Sequence, residues 1–416
     1  MRSAAYWLAL PLAAAAWGQA AQERLNIDDL VAEALRANPE ILAAQSKYEA
    51  ARQRPAQERS LPEPTFSLGW NSSGSPLPGA GLGTEPIANV GAMASQEIPY
   101  PGKLRLRAAV AEKEADIEAQ QFHAVELNVI SRVKQAYYRL QHAYAMLGVL
   151  ARNRDALRTL LRAAEARYSV GKTTQADVFK AQTQLTVIET RIAQIERERT
   201  GREAEINALL NRRPGTPVTR PGEPHMMSIG FTIDELLAKA RDAAPALARE
   251  QKVMERANTA LRLARTDYYP DFTVNGGYYY MGSMPPMYMF RADIKLPLRR
   301  AKTRAEITER SEEIAQARHT YEAAARDLEF RIQDEYTAAK TAQTLLDLYA
   351  RTVIPQARLA VESSLASYET GATDFLTVLS NHVAAFEYEM NYHEQMQEYH
   401  LALARLEELT GVELIK

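Results

Sequence analysis

The chain has 416 residues, of which 25% are charged and 46% are hydrophobic, and its formal net charge is −2. This balance excludes the basic surface that nucleic-acid binding usually needs, and we expect no nucleic-acid partner. The chain contains no cysteine. Disulfides and thiolate metal sites are therefore excluded, and no lipoprotein anchor is expected.

The first twenty residues are typical of a secretory signal peptide. Arg2 supplies a positive charge, Ala4 to Trp17 form an apolar stretch, and Gly18-Gln19-Ala20 is a small-x-small cleavage site. No later stretch reaches the roughly 18 apolar residues that a transmembrane helix needs. We therefore expect the mature chain to leave the cytoplasm without a transmembrane helix.

The mature chain opens with a segment that occurs again in its second half. Residues 25–41 (LNIDDLVAEALRANPEI) correspond to residues 231–247 (FTIDELLAKARDAAPAL), and further matching segments follow in the same order. Small insertions between the matches are of the kind that loops of a duplicated unit tolerate. We predict an internal duplication, with a signal peptide at 1–20 and repeats at 21–215 and 216–416.

Most of each repeat has helical periodicity, with apolar residues at alternating spacings of three and four, as in coiled coils. Residues 103–170 predict one continuous helix about 100 Å long. The corresponding stretch, 301–370, is expected to kink at Pro355. Each long helix should turn at a glycine and return as a shorter helix, at about 174–211 and 374–410.

Two segments without this periodicity, residues 64–99 and 270–297, interrupt the helices. Each contains two strand-like runs and is predicted to be a β-hairpin. In the second, a turn rich in Met and Pro is expected before a strand at Tyr288 to Leu296. Strands of about ten residues with many aromatics suit an outer-membrane barrel, although an ordinary sheet would also hold them.

Four strands cannot close a barrel, and an open sheet edge is not tolerated in lipid. Several chains would therefore have to pool their strands, and three chains would supply twelve, an even number as in bacterial barrels. The predicted fold is mainly α with a small β part, in which a long helical barrel hangs beneath a shared trimeric β-barrel.

This arrangement resembles the outer-membrane efflux protein family typified by TolC. The resemblance covers about residues 24–412 and rests on the doubled opening, on EIPYPGK at 97–103, and on the doubled motif at 168–178 and 368–378. It implies a homotrimer in the outer membrane with a periplasmic helical extension. It also implies a passive duct, not an enzyme, that works with a periplasmic adaptor and an inner-membrane pump.

The resemblance places adaptor docking and pore closure at the helix-turn-helix tips. The family's constricting carboxylates correspond here to Thr377 and Ser380, so the acidic constriction cannot be carried over. Asp374 or Glu369 could supply a substitute ring of carboxylates, but Asp374 is equally suited to be a helix N-cap. The implied tip residues are Tyr168, Gly171, Asp177, Tyr368, Glu369, Gly371, Asp374, Thr377 and Ser380.

Other candidate chemistry has little support. Gly171-Lys172-Thr173 resembles the end of a phosphate loop, but Ala166 occupies the position of the motif's first glycine. His393 and His400 lie two helical turns apart, too far to hold one metal ion alone. We interpret them as surface or interhelical side chains, and we predict no catalytic residue, cofactor or metal site.

Four methionines lie within nine residues, at Met281, Met284, Met287 and Met289. Thioethers bind soft Cu(I) or Ag(I). We favour the alternative that they fill apolar space in a loop and strand, because the loop would face away from the place where cargo is captured.

Within the family, the short chain, the compact C-terminus and Val353-Ile354-Pro355 most resemble the heavy-metal-export branch; export of drugs or other small molecules is the alternative. From another class, the chain could be a soluble periplasmic coiled-coil scaffold or adaptor. An adaptor would show a single α-hairpin flanked by β-domains instead of two matched halves.

Overall fold

The computed structural model describes residues 25–72, 76–227 and 229–414; the predicted signal peptide lies outside these ranges. Within them the chain folds into ten α-helices and four β-strands. In chain order the elements are α1 (Ile27–Ala37), α2 (Pro39–Ala51), α3 (Arg54–Arg59), β1 (Thr65–Asn71), β2 (Asn89–Ile98), α4 (Lys103–Ser169), α5 (Gln175–Leu209), α6 (Ile233–Ala243), α7 (Pro245–Arg265), β3 (Asp271–Met281), β4 (Met284–Lys295), α8 (Arg300–Leu348), α9 (Ile354–Thr370) and α10 (Phe375–Thr410).

The order of these elements confirms the predicted internal duplication. Each half runs through two opening helices, a β-hairpin, a long helix and a returning helix; the first half adds the short α3, and α8 with α9 corresponds to α4. The long and returning helices lie where the apolar periodicity predicts them. In the described part of the chain, no helix combines the length and the apolarity that a membrane crossing requires.

The two long helices differ in continuity. Helix α4 is unbroken over 67 residues, about 100 Å. Between α8 and α9, the five residues Tyr349–Val353 form a π-helical turn, and Pro355 follows at the second position of α9. A proline ring collides with the carbonyl four residues earlier, here that of Arg351, and cannot donate to it. The wider π turn relieves this conflict, so the helix is interrupted just before the position where the sequence predicts a kink.

The corner between α1 and α2 depends on one side chain, that of Asn38, which is 2% exposed. Its Oδ1 accepts hydrogen bonds from the backbone N–H groups of Glu40 (2.8 Å) and Ile41 (3.3 Å). Its Nδ2 donates to the carbonyl of Leu209 at the end of α5 (2.9 Å). In the second half Ala244 occupies this place and provides no side-chain cap. Asn38 therefore ties the start of the first repeat to its end.

We expect Asn38→Ala to lower the free energy of unfolding by about 2 kcal/mol, since it removes an N-cap and leaves a buried carbonyl without its partner. Urea unfolding followed by helical circular dichroism measures this. Asn258→Ala is the control, because within the described part of the chain that exposed side chain bonds only the carbonyl of Met254 in its own helix (2.9 Å). Equal midpoints for the two variants would contradict the assignment.

Two hydrophobic cores hold the helices together. The larger joins α1, α4, α6, α8 and α10, and the smaller joins the helix ends near the two interhelical turns. Both cores contain residues from both repeats, so the halves pack as one body instead of as separate domains. Representative members are Leu30, Leu140, Leu236, Ile332 and Leu403 in the larger core and Leu157, Val178, Phe375 and Val378 in the smaller.

The four strands form one antiparallel sheet in the order β1-β2-β3-β4. The pairing of β2 with β3 joins the two repeats and leaves β1 and β4 at the edges. The prediction of a long Met- and Pro-rich turn in the second hairpin is wrong. Gly282, at φ +76°, and Ser283 form the whole turn, and β4 already begins at Met284. Prolines at 285 and 286 suggested a loop, but an edge strand tolerates proline.

Candidate functional site: sheet faces and helix tips

One face of the sheet is apolar and exposed across all four strands. Successive partners in one row are Leu68, Ala92, Tyr278 and Tyr288. Leu68, Tyr288 and Phe290 on this face are more than three-quarters exposed. Large apolar side chains in such a contiguous patch indicate contact with lipid or another apolar surface. By register the face consists of Phe66, Leu68, Trp70, Val90, Ala92, Ala94, Gln96, Ile98, Phe272, Val274, Gly276, Tyr278, Tyr280, Tyr288, Phe290, Ala292 and Ile294, of which Gln96 alone is polar apart from the tyrosine hydroxyls.

The opposite face is polar. One row across the strands reads Thr65, Ser95, Asn275 and Arg291. Asp293 accepts hydrogen bonds from the Asn275 amide (2.8 Å) and from Arg291 Nε (3.1 Å). Met93, Tyr279, Met287 and Met289 also lie on this face, so it is mainly and not wholly polar. Alternation between a mainly apolar and a mainly polar face is the pattern of a barrel wall with lipid outside and water inside.

The junction between sheet and helices depends on Lys103, the last residue of the EIPYPGK motif. Its ammonium lies 2.7 Å from Asp267 and 3.1 Å from Asp271, which precede and begin β3. Asp271 also accepts from the backbone N–H of Tyr100 (2.9 Å), whose ring stacks on Tyr269 at 4.3 Å. The motif therefore fastens the start of α4 in one repeat to the start of β3 in the other.

At the far ends of the helices, the two predicted tips have similar turns. Gly171 (φ +71°) follows α4, and Gly371 (φ +80°) ends α9 in the left-handed conformation that glycine adopts without strain. Thr174 caps α5 in a capping box with Asp177, and Asp374 caps α10. The Gly171-Lys172-Thr173 segment is thus a turn between helices.

The matched tyrosines of the two tips differ in their environment. Tyr168 is 46% exposed, whereas Tyr368 is 4% exposed and packs edge-on against Phe375. Arg167 accounts for the difference: its guanidinium lies 4.3 Å from the centre of the Tyr368 ring, and its Nη1 donates to the Tyr368 carbonyl (2.5 Å). In the second repeat, Ser367 holds the place of Arg167. Arg167 belongs to none of the predicted tip residues, and the difference between Arg167 and Ser367 at matched positions of the repeats is the signal in the sequence that points to it.

The acidic residues of the tips are engaged in local hydrogen bonds. Although burial opposes the shift, hydrogen bonds from Thr173 and Thr174 hold the pKa of Asp177 below its usual value. Hydrogen bonding by Thr377, whose N–H donates to Asp374 (2.8 Å), lowers the pKa of Asp374 against the opposing charge of Asp177. Both carboxylates are ionised at neutral pH and lie near each other. The helix-cap interpretation of Asp374 thus has direct support.

The remaining tip residues project toward solvent. Glu369, Thr377 and Ser380 are exposed, and the Ser380 hydroxyl donates to the Thr377 carbonyl within α10 (2.9 Å). The positions that hold constricting carboxylates in the resemblance therefore carry only hydroxyl groups here.

His400 lies within the helical packing. His400 is 1% exposed, stacks on Tyr138 at 4.5 Å, and has its Nε2 3.1 Å from the carbonyl of His225. The interhelical interpretation therefore applies to it, and the surface alternative is wrong. Across residues 25–72, 76–227 and 229–414, no group of three or more His, Asp or Glu side chains is arranged to hold a metal ion.

Comparison with known proteins identifies the family. The profile described as outer membrane efflux protein matches residues 30–212 and 236–412. Outer membrane protein TolC of Vibrio cholerae serotype O1 is 22% identical, over 96% of this chain and 92% of TolC. The crystal structure of VceC from Vibrio cholerae shares the fold with a TM-score of 0.78 at 18% identity, over 94% of this chain and 97% of VceC. A crystal structure of CusC shares the fold with a TM-score of 0.77 at 16% identity, over 92% of this chain and 91% of the CusC chain. The chain therefore belongs to the outer membrane efflux protein family and is an outer-membrane efflux channel.

Proposed function

We propose that three copies of the chain form one passive exit duct. The observation that carries this proposal is the sheet: its apolar face is exposed, and its edge strands β1 and β4 have no partner within the described chain. Lipid does not tolerate open edges, so β4 of each copy must pair with β1 of the next. Twelve strands then close a barrel. A soluble periplasmic scaffold would have no use for this apolar face.

The helices would continue the duct into the periplasm as a tube of six repeats, at 21–215 and 216–416 in each chain. In this arrangement the chain binds a periplasmic adaptor and receives cargo from an inner-membrane pump. It performs no catalysis. We propose heavy-metal cations as the cargo, in line with the features shared with the metal-export branch; drugs and other small molecules are the alternative.

We propose that the tips dock the adaptor and close the pore. The exposed tip residues Tyr168, Glu369, Thr377 and Ser380 are available for docking. Gly171 and Gly371 shape the turns, while Asp177 and Asp374 bring negative charge to the constriction. Arg167 would hold the pore closed, because its hydrogen bond to the Tyr368 carbonyl and its contact with the Tyr368 ring fix the second tip of a chain against the first.

Conductance in planar bilayers tests the duct and its closure together. Wild-type protein should insert and give uniform but infrequent openings. A hydrogen bond from a charged donor contributes about 1.5–3 kcal/mol, so Arg167→Ala should raise the open fraction about tenfold or more.

Arg162→Ala is the matched control on the same helix, because among the described residues Arg162 bonds only to Thr159 one turn earlier (3.1 Å). It should leave the open fraction unchanged. Absence of any conductance from correctly folded protein would refute the duct, whereas equal gating by the two variants would refute only the closing contact.

A further inference from the structure

The two helices that follow the β-hairpins, α4 and α8, both begin with positive charge. Lysine or arginine occupies the first, third and fifth positions of each helix, at Lys103, Arg105 and Arg107 in α4 and at Arg300, Lys302 and Arg304 in α8. Neither helix has an acidic residue in its first turn. Positive charge at this end of a helix disfavours the helix, so the repeated pattern does not serve the stability of the fold.

Six arginines and lysines at these helix starts form no ion pair within the described part of the chain. We call them the basic collar: Arg105, Arg107, Arg299, Arg300, Lys302 and Arg304. All except Arg107 are exposed. The sequence accounts for their lack of partners, because it has no acidic residue at 103–111 or at 296–305. Further along α8, arginines do pair with nearby glutamates, as Arg310 and Arg318 do.

The basic collar lies next to one edge of the sheet. Helix α4 begins five residues after the end of β2, and α8 begins five residues after the end of β4. In the second of these connections, Leu296 is 60% exposed and Leu298 is 82% exposed. Tyr268 and Tyr269, where the chain enters β3, are also exposed. Tyrosines and basic residues beside an apolar band are typical of the level at which lipid headgroups begin.

The orientation of Arg105 supports a contact with lipid. The neighbouring Lys103 contacts Asp271 (3.1 Å), which belongs by register to the polar face of the sheet. Two positions along an α-helix rotate the side chain by about 200°. Arg105 therefore projects away from the polar face, toward the side of the apolar face. In α8, Arg300 and Lys302 have the same spacing and are both exposed, so one of them faces the apolar side.

A neighbouring copy does not neutralise the basic collar. In the proposed barrel, α8 of one copy lies beside α3 of the next, because β4 pairs with β1 across the contact. The segment around α3, residues 52–64, contains three arginines and two glutamates. It therefore brings no excess of negative charge to the collar, whereas the phosphate groups of a lipid leaflet do.

We propose that the basic collar binds the phosphate groups of anionic phospholipids, such as phosphatidylglycerol, in the leaflet on the periplasmic side of the outer membrane. The arginine guanidinium donates paired hydrogen bonds to phosphate oxygens. Each lysine or arginine near an anionic leaflet strengthens binding about fivefold. Each chain carries its own collar, so lipid binding does not need the trimer; closure of three collars into one ring rests on the proposed function.

Native mass spectrometry of the mature protein in neutral detergent tests the proposal. Equal amounts of dioleoyl phosphatidylglycerol and dioleoyl phosphatidylcholine are added, and the lipids that stay bound are counted. The wild type should retain phosphatidylglycerol at least tenfold more often than phosphatidylcholine. In the combined variant Arg105→Gln, Arg300→Gln, Lys302→Gln this preference should fall at least tenfold, because three positive charges are lost.

Arg36→Gln, Arg197→Gln, Arg213→Gln is the matched control. These three arginines are also exposed and form no ion pair among the described residues, but they lie on other segments of the chain. The control loses the same charge and should keep the preference of the wild type. Arg105→Lys, Arg300→Lys, which keeps the charge of the collar, should keep it as well.

No preference in the wild type, or equal loss in the two glutamine variants, would overturn the proposal. The same spectra report the oligomer. Collar-variant monomers that still prefer phosphatidylglycerol would assign the cations to contacts between copies, against the proposal. A monomeric wild type with the preference would contradict the duct and leave the lipid site standing. If the combined variant does not fold, Lys302→Gln alone should lose about fivefold, and an unchanged preference would contradict the assignment.

Discussion

Leu68→Lys should prevent the protein from accumulating in the outer membrane. Leu68 is 76% exposed and lies in the middle of β1, in the row that continues through Ala92 and Tyr278. A lysine on the lipid face near the bilayer midplane costs about 2–4 kcal/mol per chain. A trimer carries three such lysines, so assembly should fall by several orders of magnitude. The amount of trimer in washed outer membranes measures the effect.

Ser67→Lys is the matched control, since Ser67 is the preceding residue of the same strand and lies on the polar face with Met93. A lysine there would meet water in the lumen and should leave the trimer yield close to that of the wild type. Equal loss in both variants would mean that the two faces do not differ in environment, contrary to the barrel assignment.

Acid should destabilise the helical part through two histidines. Burial lowers the pKa of both His142 and His400 to about 4; for His142 the charge of Glu198 opposes the shift and that of His393 adds to it. In the unfolded chain both titrate near ~6.5. Between these values only the unfolded state binds the proton, so stability falls as pH falls from about 6.5 to about 4. Each histidine contributes about 3 kcal/mol to this loss.

His142→Leu should abolish about half of this pH dependence. Within the described part of the chain neither ring nitrogen of His142 has a hydrogen-bond partner. Leucine should therefore cost little at pH 7.5, and the variant should be more stable than the wild type at pH 5. His319→Leu is the control, because the His319 side chain is 76% exposed. It should leave the stability unchanged both at pH 7.5 and at pH 5. Thermal unfolding in detergent between pH 7.5 and pH 5 measures this. If the unfolding temperatures of the wild type and of His142→Leu fall equally as the pH is lowered, His142 does not contribute to the acid sensitivity.

The sequence alone predicts the helices and the duplication because both depend on periodic apolar residues and on punctuation by glycine and proline. The continuous α4, the interruption near Pro355 and the turns at Gly171 and Gly371 all follow from those rules.

The position of β4 was not predictable in the same way. Pro285 and Pro286 normally exclude a strand, and only its place at the edge of the sheet, a tertiary fact, makes β4 possible. The prediction places Met287 in that turn, so it does not indicate which face of the sheet this residue lies on.

At the helix tips, only the residues of the repeated tip motif could be predicted from the sequence. Tyr168 and Tyr368 occupy equivalent positions in the two repeats, but packing buries Tyr368 and leaves Tyr168 exposed. The contact of Arg167 with Tyr368 joins residues about two hundred positions apart, and no local pattern indicates it. Lys103 was recognised as part of a motif, whereas its two aspartate partners across the repeat boundary became visible only in the folded chain.

Three chains are expected to share one barrel in the outer membrane. Native mass spectrometry of the mature protein, extracted with detergent from the outer-membrane fraction of cells that express it, tests this most directly. We expect a trimer that requires detergent to leave the membrane. A monomer or dimer recovered from the periplasm without detergent would contradict the shared barrel and favour a soluble scaffold.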